Sequence, residues 1–444
     1  MFEHTPLYNA ALKVVQRIGQ GRAFFVGGAC RDSLLELPLK DIDIATELGS
    51  KQVMSLFPGS ELIGADFGVV LVKQNGFHFE VAAFRKESSY SDKRHPDKVT
   101  FGTIYDDVKR RDFTINALYY DPIKEEIIDL VGGQQDLAQG VLRCVGNAHD
   151  RLSEDALRIL RAVRFVNRLN FEWDHDLKEA VSELSPNLLK ISAERVKEEL
   201  DRILTGPDPA MALDLMRECG ILQVILPEIA TLEYCEQSPV KHPEGRVFLH
   251  TALTVKNIKP RDTVHVWSAL LHDVAKPICF AEYESFHGHA EMGATMSEAI
   301  LTRLKFSNDE KEMIVSTVRD HMKFLDIKKM RKSTLRRFMS KPHFQLTLDL
   351  HRADCESSSG EFDNVEYIEQ KKQEFVQEDG AVLPDPLITG HQVMERLGIA
   401  QGPLVGQILR KIQDAQLESI ITTEVGALSY ADALLEQHEQ GELE

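Results

Sequence analysis

A change of period near residue 147 limits what this chain can fold into. Before it, apolar residues come in strand-length segments: Ala23–Val26, Ile42–Ala45, Gly68–Lys73 and Phe77–Phe84. The last two flank Asn75-Gly76, a pair that tolerates the positive φ a two-residue hairpin demands. Beyond it, Ser153–Leu169, Ala193–Leu204 and Ala210–Ile221 repeat apolar residues at helical spacing, and the pattern stays helical to the end. A mixed α+β head followed by an all-α remainder satisfies both halves. An amphipathic helix over residues 1–20 opens the head, and Lys86–Lys98 reads as a mobile polar loop. Ser238, Pro239 and the polar run Lys241–Arg246 read as a linker, as does Val382–Pro386. The acidic Glu436–Glu444 is expected to fray.

Charge and cysteine usage narrow the class. With 52 basic and 70 acidic side chains among 444 residues, the net charge is −18, which argues against a nucleic-acid partner unless cations cluster locally. They do so in Lys323–Arg337, where seven basic residues stand against one acidic, a local +6 suited to phosphate contact or to balancing the acidic remainder. The six cysteines are scattered, with no C-x-x-C pair, against a disulfide framework or a thiolate zinc site. No apolar run reaches the roughly 18–20 residues of a membrane helix. The start, MFEHTPLYNA, lacks a signal-peptide pattern, so a cytoplasmic protein without membrane partners is expected.

Two groups of residues carry chemistry in the head. Phe24-Phe25-Val26-Gly27-Gly28-Ala29-Cys30-Arg31-Asp32 runs from strand through a glycine turn into helix, where backbone N–H groups can approach an anion. Then Lys40-Asp41-Ile42-Asp43-Ile44-Ala45 sets two carboxylates two residues apart, on one face of a strand whose other face is Ile42 and Ile44. Paired like charges beside an apolar strand are costly unless cations sit between them. A pair of Mg²⁺ ions bridging a nucleoside triphosphate and an attacking hydroxyl suits the arrangement. Glu80 is a candidate third carboxylate, or an edge-strand residue facing water. Further on, Lys109–Ala117 reads KRRDFTINA. Glu154–Phe165 reads as one helix whose Arg158, Arg161 and Arg164 recur every third residue. Arg158 has Glu154 and Asp155 one turn back as ion-pair partners; Arg161 and Arg164 have none at that spacing.

The ordered set VGGxxRD, DxD, RRDxTINA, EDxxRxxRxxRF and Ile191-Ser192-Ala193-Glu194-Arg195-Val196 resembles the class II tRNA nucleotidyltransferase and bacterial poly(A) polymerase family across roughly residues 20–200. The resemblance implies a polymerase-beta-like nucleotidyltransferase head over 1–146, a helical neck and RNA-binding body over 147–237, an HD domain over 238–381 and a helical tail over 382–444. It implies that Asp41 and Asp43 hold catalytic Mg²⁺. Gly28 and Arg31 would contact the triphosphate, and Arg111 and Asp112 the phosphates and ribose. Asp155 and Arg158 would select the base, with Arg161 and Arg164 nearby. That selector has a physical rationale. Cytosine and adenine each present an exocyclic amine beside a bare ring nitrogen, which an aspartate and an arginine match; uracil and guanine mismatch both. The implied reaction is addition of C, C and A to the tRNA 3′ end from CTP and ATP. Poly(A) polymerase, CC-only and A-only enzymes share the same head motifs. Leu62–Phe67 lacks the basic residue after its glycine associated with bacterial poly(A) polymerases.

The second half carries His250, His272-Asp273, His289, His321 and Asp354 in order. An aspartate closing an apolar helix needs a partner, and a metal is a good one. The order resembles the HD-domain metal-dependent phosphohydrolases. By that resemblance His250, His272, Asp273 and Asp354 bind one divalent transition metal, His289 and His321 complete a second site, and the substrate is a phosphomonoester or a 2′,3′-cyclic phosphate. The competing reading is a degenerate, purely structural HD domain.

Overall fold

The computed structural model describes residues 2–63, 68–88, 98–238, 242–358 and 360–440. It divides into two units, residues 1–230 with 303–305 and residues 231–302 with 306–444.

The first unit opens with a helix at Pro6–Ile18, capped by the Thr5 hydroxyl and burying Tyr8, Ala11, Val14, Val15 and Ile18 on one face. Among the described residues, eleven strands follow, the first nine being β1 Ala23–Val26, β2 Asp43–Thr46, β3 Glu61–Ile63, β4 Val69–Gln74, β5 Phe77–Ala83, β6 Arg85–Ser88, β7 Lys98–Phe101, β8 Leu118–Asp121 and β9 Glu126–Asp129. Seven of them form a mixed sheet in the order β3-β4-β5-β2-β1-β8-β9. The β2–β5 pair is parallel and its neighbours are antiparallel. The hairpin between β4 and β5 turns through Asn75 and Gly76, both at positive φ as the pair implied. Phe24, Val26, Ala45, Phe84 and Tyr119 form an apolar layer against this sheet. Burying the Phe and Val side chains among them contributes roughly 1.5–3 kcal/mol each.

Several expectations need correction. Lys86–Lys98 is not a loop throughout, because β6 and β7 pair antiparallel and occupy its ends; the rest of it, 89–97, lies outside the described residues. Glu80 sits on β5, which is internal to the sheet, not at an edge. Ser153–Leu169 is two helices, Ala148–Glu154 and Leu157–Leu169, broken at Asp155, whose backbone is extended. The Asp155 side chain accepts from Leu157 N at 3.1 Å, a local bond that competes with helix continuation and starts the second helix. Ala210–Ile221 likewise divides into Pro209–Glu218 and Ile221–Ile225, with Gly220 in the left-handed region between them. The poly(A)-related stretch 62–67 lies outside the described residues from 64 on.

The second unit is helical. Helices Val247–Asn257, Thr263–Leu271, Asn308–Asp320 and Phe344–Ser357 pack on one another, and Trp267 is fully buried. Helices Gly390–Leu397, Pro403–Leu417 and Glu424–Glu439 close a separate apolar cluster that includes Val393, Ile408 and Ala431. Residues 239–241 of the expected linker lie outside the described residues; 242–246 form an ordered turn closed by a bridge between Glu236 and Arg246. The basic run is no open field of charge. Lys323, Lys328, Lys329, Lys332, Arg336 and Arg337 pair with Asp320, Asp363, Asp326, Glu378, Asp379 and Asp414 respectively. Among the described residues, no helix is long and apolar enough to cross a membrane.

Candidate active site and candidate metal centre

The alternation in β2 holds at its mouth. Ile42 and Ile44 are buried, while Asp41 and Asp43 are exposed on the other face. Parallel pairing of β2 with β5 sets Ile44 opposite Val81, which brings Glu80 beside the pair. Crowding is visible in the Asp43 carboxyl. Partial enclosure, then the charges of Glu80 and Asp41, push its pKa up to about 6 against a weaker pull from Arg111. Asp43 thus stands in the field of two further carboxylates, and carboxylate oxygens are the ligands Mg²⁺ takes.

Asp43 also lines a cavity of about 480 Å³. Its walls include Gly27, Gly28 and Asp155, with eight arginines: 31, 110, 111, 158, 161, 164, 168 and 195. Gly27 has φ +68°, a conformation that favours glycine, and a Cβ there would stand 3.5 Å from Arg111 Nη1.

Each arginine is oriented by an acceptor. Buried Asp107 takes Arg110 Nε at 2.8 Å, Arg111 Nη2 at 3.0 Å and the Tyr119 hydroxyl at 2.6 Å. Arg31 donates to Asp32 at 2.7 Å and Asn116 at 2.6 Å, and Arg168 donates to the other Asp32 oxygen at 2.8 Å. Arg161 donates through Nε, at 2.8 Å, and Nη2 to one oxygen of Asp112. Burial alone would raise the Asp112 pKa; the Arg161 contact reverses that and holds it at about 2. Arg164 Nε lies 2.9 Å from buried Glu199. Arg158 donates to Glu154 at 2.9 Å and to the carbonyls of Arg151 and Arg110. Arg31, Arg161 and Arg164 all stand over the Phe165 ring, at 4.8–5.5 Å from its centroid.

The helical unit gathers a second cluster. Asp273, in the turn after Thr263–Leu271, is fully enclosed and serves two sides. Its Oδ2 faces His272 Nε2 at 3.2 Å and His250 Nε2 at 3.8 Å. Its Oδ1 faces His289 Nε2 at 3.3 Å and His321 Nε2 at 3.9 Å. Asp354 lies 3.0 Å from His250 Nε2. The Nδ1 atoms of His272, His289 and His321 contact the carbonyls of Ala269, Phe286 and Val318 at 2.6–2.8 Å. Those acceptors assign the proton to Nδ1 in each neutral ring and leave Nε2 bare. Two bare nitrogens, His289 and His321, then meet at 3.1 Å beside a carboxylate. His272 Nε2 is buried without a hydrogen-bond partner, while Asp273 Oδ2 has the Lys276 ammonium 2.6 Å away. Converging lone pairs of this kind fit a bound cation.

The comparisons with known proteins divide along the same lines. Profiles described as "Poly A polymerase head domain", "Probable RNA and SrmB- binding site of polymerase A" and "HD domain" match residues 23–143, 170–232 and 246–356. A CCA-adding enzyme of Geobacillus sp. (strain WCH70) is 44% identical over 217 residues, 48% of this chain and 54% of that protein. One from Enterococcus faecalis (strain ATCC 700802 / V583) is 37% identical over 63% of this chain and 65% of its own length. The chain thus spans between about half and two thirds of these curated relatives. The crystal structure of the Bacillus stearothermophilus CCA-adding enzyme in complex with CTP aligns with TM-score 0.74 and 26% identity, covering 98% of this chain and all of that one. A Thermotoga maritima CCA-adding enzyme complexed with tRNA shares the fold at TM-score 0.60 and 20% identity, covering 93% of this chain and 91% of that one.

The chain carries a poly(A) polymerase head domain, the RNA-binding segment described for that polymerase, and an HD domain, in that order.

Within the head and the helices that follow it, the chain brings Gly28, Arg31, Asp43, Arg111, Asp112, Asp155, Arg158, Arg161 and Arg164 onto one cavity, and Asp41 beside Asp43. Asp155 and Arg158 are not on one helix, as the sequence pattern suggested, and each has a different partner. Asp155 Oδ2 accepts from Arg195 at 3.0 Å, while Arg158 is held by Glu154. Arg195, Arg168, Asn116 and Phe165 had no assigned role. Arg195, Asn116 and Phe165 lie inside the recognised motifs, and that is the only signal that could have found them; Arg168 lies outside every one. In the HD domain, Lys276 was missed: its Nζ lies 2.6 Å from Asp273 Oδ2 and 2.7 Å from Gln237.

Proposed function

We propose that the chain adds C, C and A to the 3′ end of tRNA from CTP and ATP without a template, in four parts over 1–146, 147–237, 238–381 and 382–444, in the cytoplasm. One observation carries this reading: a carboxylate of the Asp41/Asp43/Glu80 group and the base-selecting Asp155 line the same arginine-rich cavity. Mg²⁺ held by Asp41, Asp43 and Glu80 would supply activation of the attacking hydroxyl and neutralisation of charge at the α-phosphate. The chain supplies the rest. Arg31, Arg111 and the Gly27-Gly28 turn hold the triphosphate, with Asp112 at the ribose. Asp155 accepts from the exocyclic amine of C or A, and Arg158 donates to the adjacent ring nitrogen. Asp155 accepts from Leu157 N and Arg195 on separate oxygens, each with a second lone pair for the amine, and Arg158 keeps N–H groups beyond its three contacts.

For the HD domain we propose hydrolysis of phosphomonoesters or 2′,3′-cyclic phosphates. A divalent transition metal held by His250, His272, Asp273 and Asp354, with His289 and His321 at a second position, would polarise the phosphate. The donor set, rich in imidazole, favours such a metal over Mg²⁺.

The test is incorporation. tRNA lacking its CCA end is incubated with Mg²⁺ and each labelled nucleotide, separately and together. Ordered C, C, A addition that stops is the expected result. Long A tails would identify a poly(A) polymerase, C addition alone a CC-adding enzyme, and A only on a supplied CC end an A-adding one. No incorporation would overturn the transferase reading.

A further inference from the structure

Among the four HD-site histidines, His250 is oriented differently from the others. His272, His289 and His321 each rest Nδ1 on a neutral backbone carbonyl. His250 Nδ1 instead lies 2.7 Å from Oε1 of Glu244, a side chain only 6% exposed. Glu244 is held by the turn described above. Gly245, at φ +90°, is bonded from Gln237 N to its carbonyl at 2.8 Å and from its own N to the His242 carbonyl at 3.0 Å. The same Glu244 oxygen also takes His242 Nδ1 at 3.0 Å. On the far side of the ring, His250 Nε2 points at Asp354 and Asp273.

We infer that Glu244 is a positioning residue for the HD metal: it takes the Nδ1 proton of His250, aims the bare Nε2 into the site, and makes this imidazole a stronger donor than its three neighbours. The inference rests on the HD-metal reading above. The physics is that of a carboxylate behind a ligating histidine. A charged acceptor fixes tautomer and ring angle as a carbonyl does, and it also raises the ligand's basicity. With Nδ1 turned to Glu244 at 2.7 Å, Nε2 faces two carboxylates, so His250 and Asp354 are arranged to share a cation.

The experiment measures Ni²⁺ affinity of the full chain by calorimetry, in excess Mg²⁺ to fill the head carboxylates, alongside the metal-free melting temperature. Glu244→Ala is expected to weaken Ni²⁺ binding about 10–100-fold. Glu244→Gln, which keeps an acceptor and loses the charge, should fall between Ala and wild type. A merely structural role would lower the melting temperature of the Glu244 variants and leave their Ni²⁺ affinity unchanged; that result overturns the proposal. Loss of affinity in His250→Ala with none in either Glu244 variant would overturn it while leaving the HD-metal reading in place. Unchanged affinity in His250→Ala would sink both.

Discussion

Arg195 reaches Asp155 across 3.0 Å from forty residues further along the chain, and so holds the carboxylate proposed to choose the incoming base. Asp155 sits where one helix has ended and the next has not begun, with an extended backbone that turns its side chain out of both. Asp155→Ala should therefore raise misincorporation of U and G at least tenfold, since a charge-assisted bond is worth about 1.5–3 kcal/mol. Arg195→Ala leaves the acceptor but not its aim, and should give a smaller loss of discrimination. Single-nucleotide incorporation with all four triphosphates measures both. Wild-type discrimination in Asp155→Ala would remove the selector.

The sequence showed this site unevenly, and the reason is separation along the chain. Period-2 patterning placed Asp41 and Asp43 opposite Ile42 and Ile44, because a strand's faces are decided locally. Ala23–Val26 and Ala193–Leu204 match their observed bounds for the same reason. The partners of Arg161 and Arg164 could not be read that way. Asp112 and Glu199 lie 49 and 35 positions away, and only the packing of Leu157–Leu169 against Ala193–Leu204 and the head brings them in. Strands β8 and β9 went unseen, since Leu118–Asp121 is buried on both faces and lacks alternation. The Asp155 break was hidden too, because Glu154-Asp155-Ala156-Leu157 carries no glycine or proline to mark it.

Asp43 makes a prediction about pH. Its pKa is raised in the fold to about 6, so its ionisation opposes folding. The sign follows from linkage: the cost is absent below about pH 4, grows as pH rises through 6, and is constant above. Without metal, Asp43→Asn should raise the melting temperature by a few degrees at pH 7 and leave it unchanged near pH 4. Mg²⁺ should erase that advantage by stabilising the wild type alone, and Asp43→Asn should abolish transfer. Thermal melts at the two pH values, with and without Mg²⁺, decide it; a destabilised metal-free variant at pH 7 would contradict the crowding.

The Asp112–Arg161 pair acts in the opposite sense. Its carboxylate is held at about 2, so the stability it contributes is present above about pH 4 and lost as pH falls towards 2. Asp112→Asn should cost about 2–3 kcal/mol at pH 7, the low side of a broken buried pair, because the Arg161 side chain keeps 32% of its surface in solvent. At pH 3 the variant and the wild type should draw closer. Urea midpoints at both pH values test this, and an equal gap at both would show that the pair's charge is not what stabilises it.

Separate chemistries predict separable variants. Asp273 faces histidines from both oxygens, so one substitution removes donors from both proposed metal positions. Asp273→Ala should abolish hydrolysis of a 2′,3′-cyclic phosphate in Ni²⁺ or Mn²⁺ and leave C and A incorporation in Mg²⁺ within about twofold of wild type. Asp41→Ala should do the reverse. Lys276 complicates the first variant, because its ammonium is buried 2.6 Å from Asp273 and would lose its counter-charge. His272→Ala is the cleaner comparison: it removes one Nε2 and leaves the Asp273–Lys276 pair in place. Loss of cyclic-phosphate hydrolysis in both variants, with incorporation intact, is the expected outcome. Retained hydrolysis in His272→Ala would mean that this cluster does not carry the reaction, and the HD domain would then be a structural element of the chain.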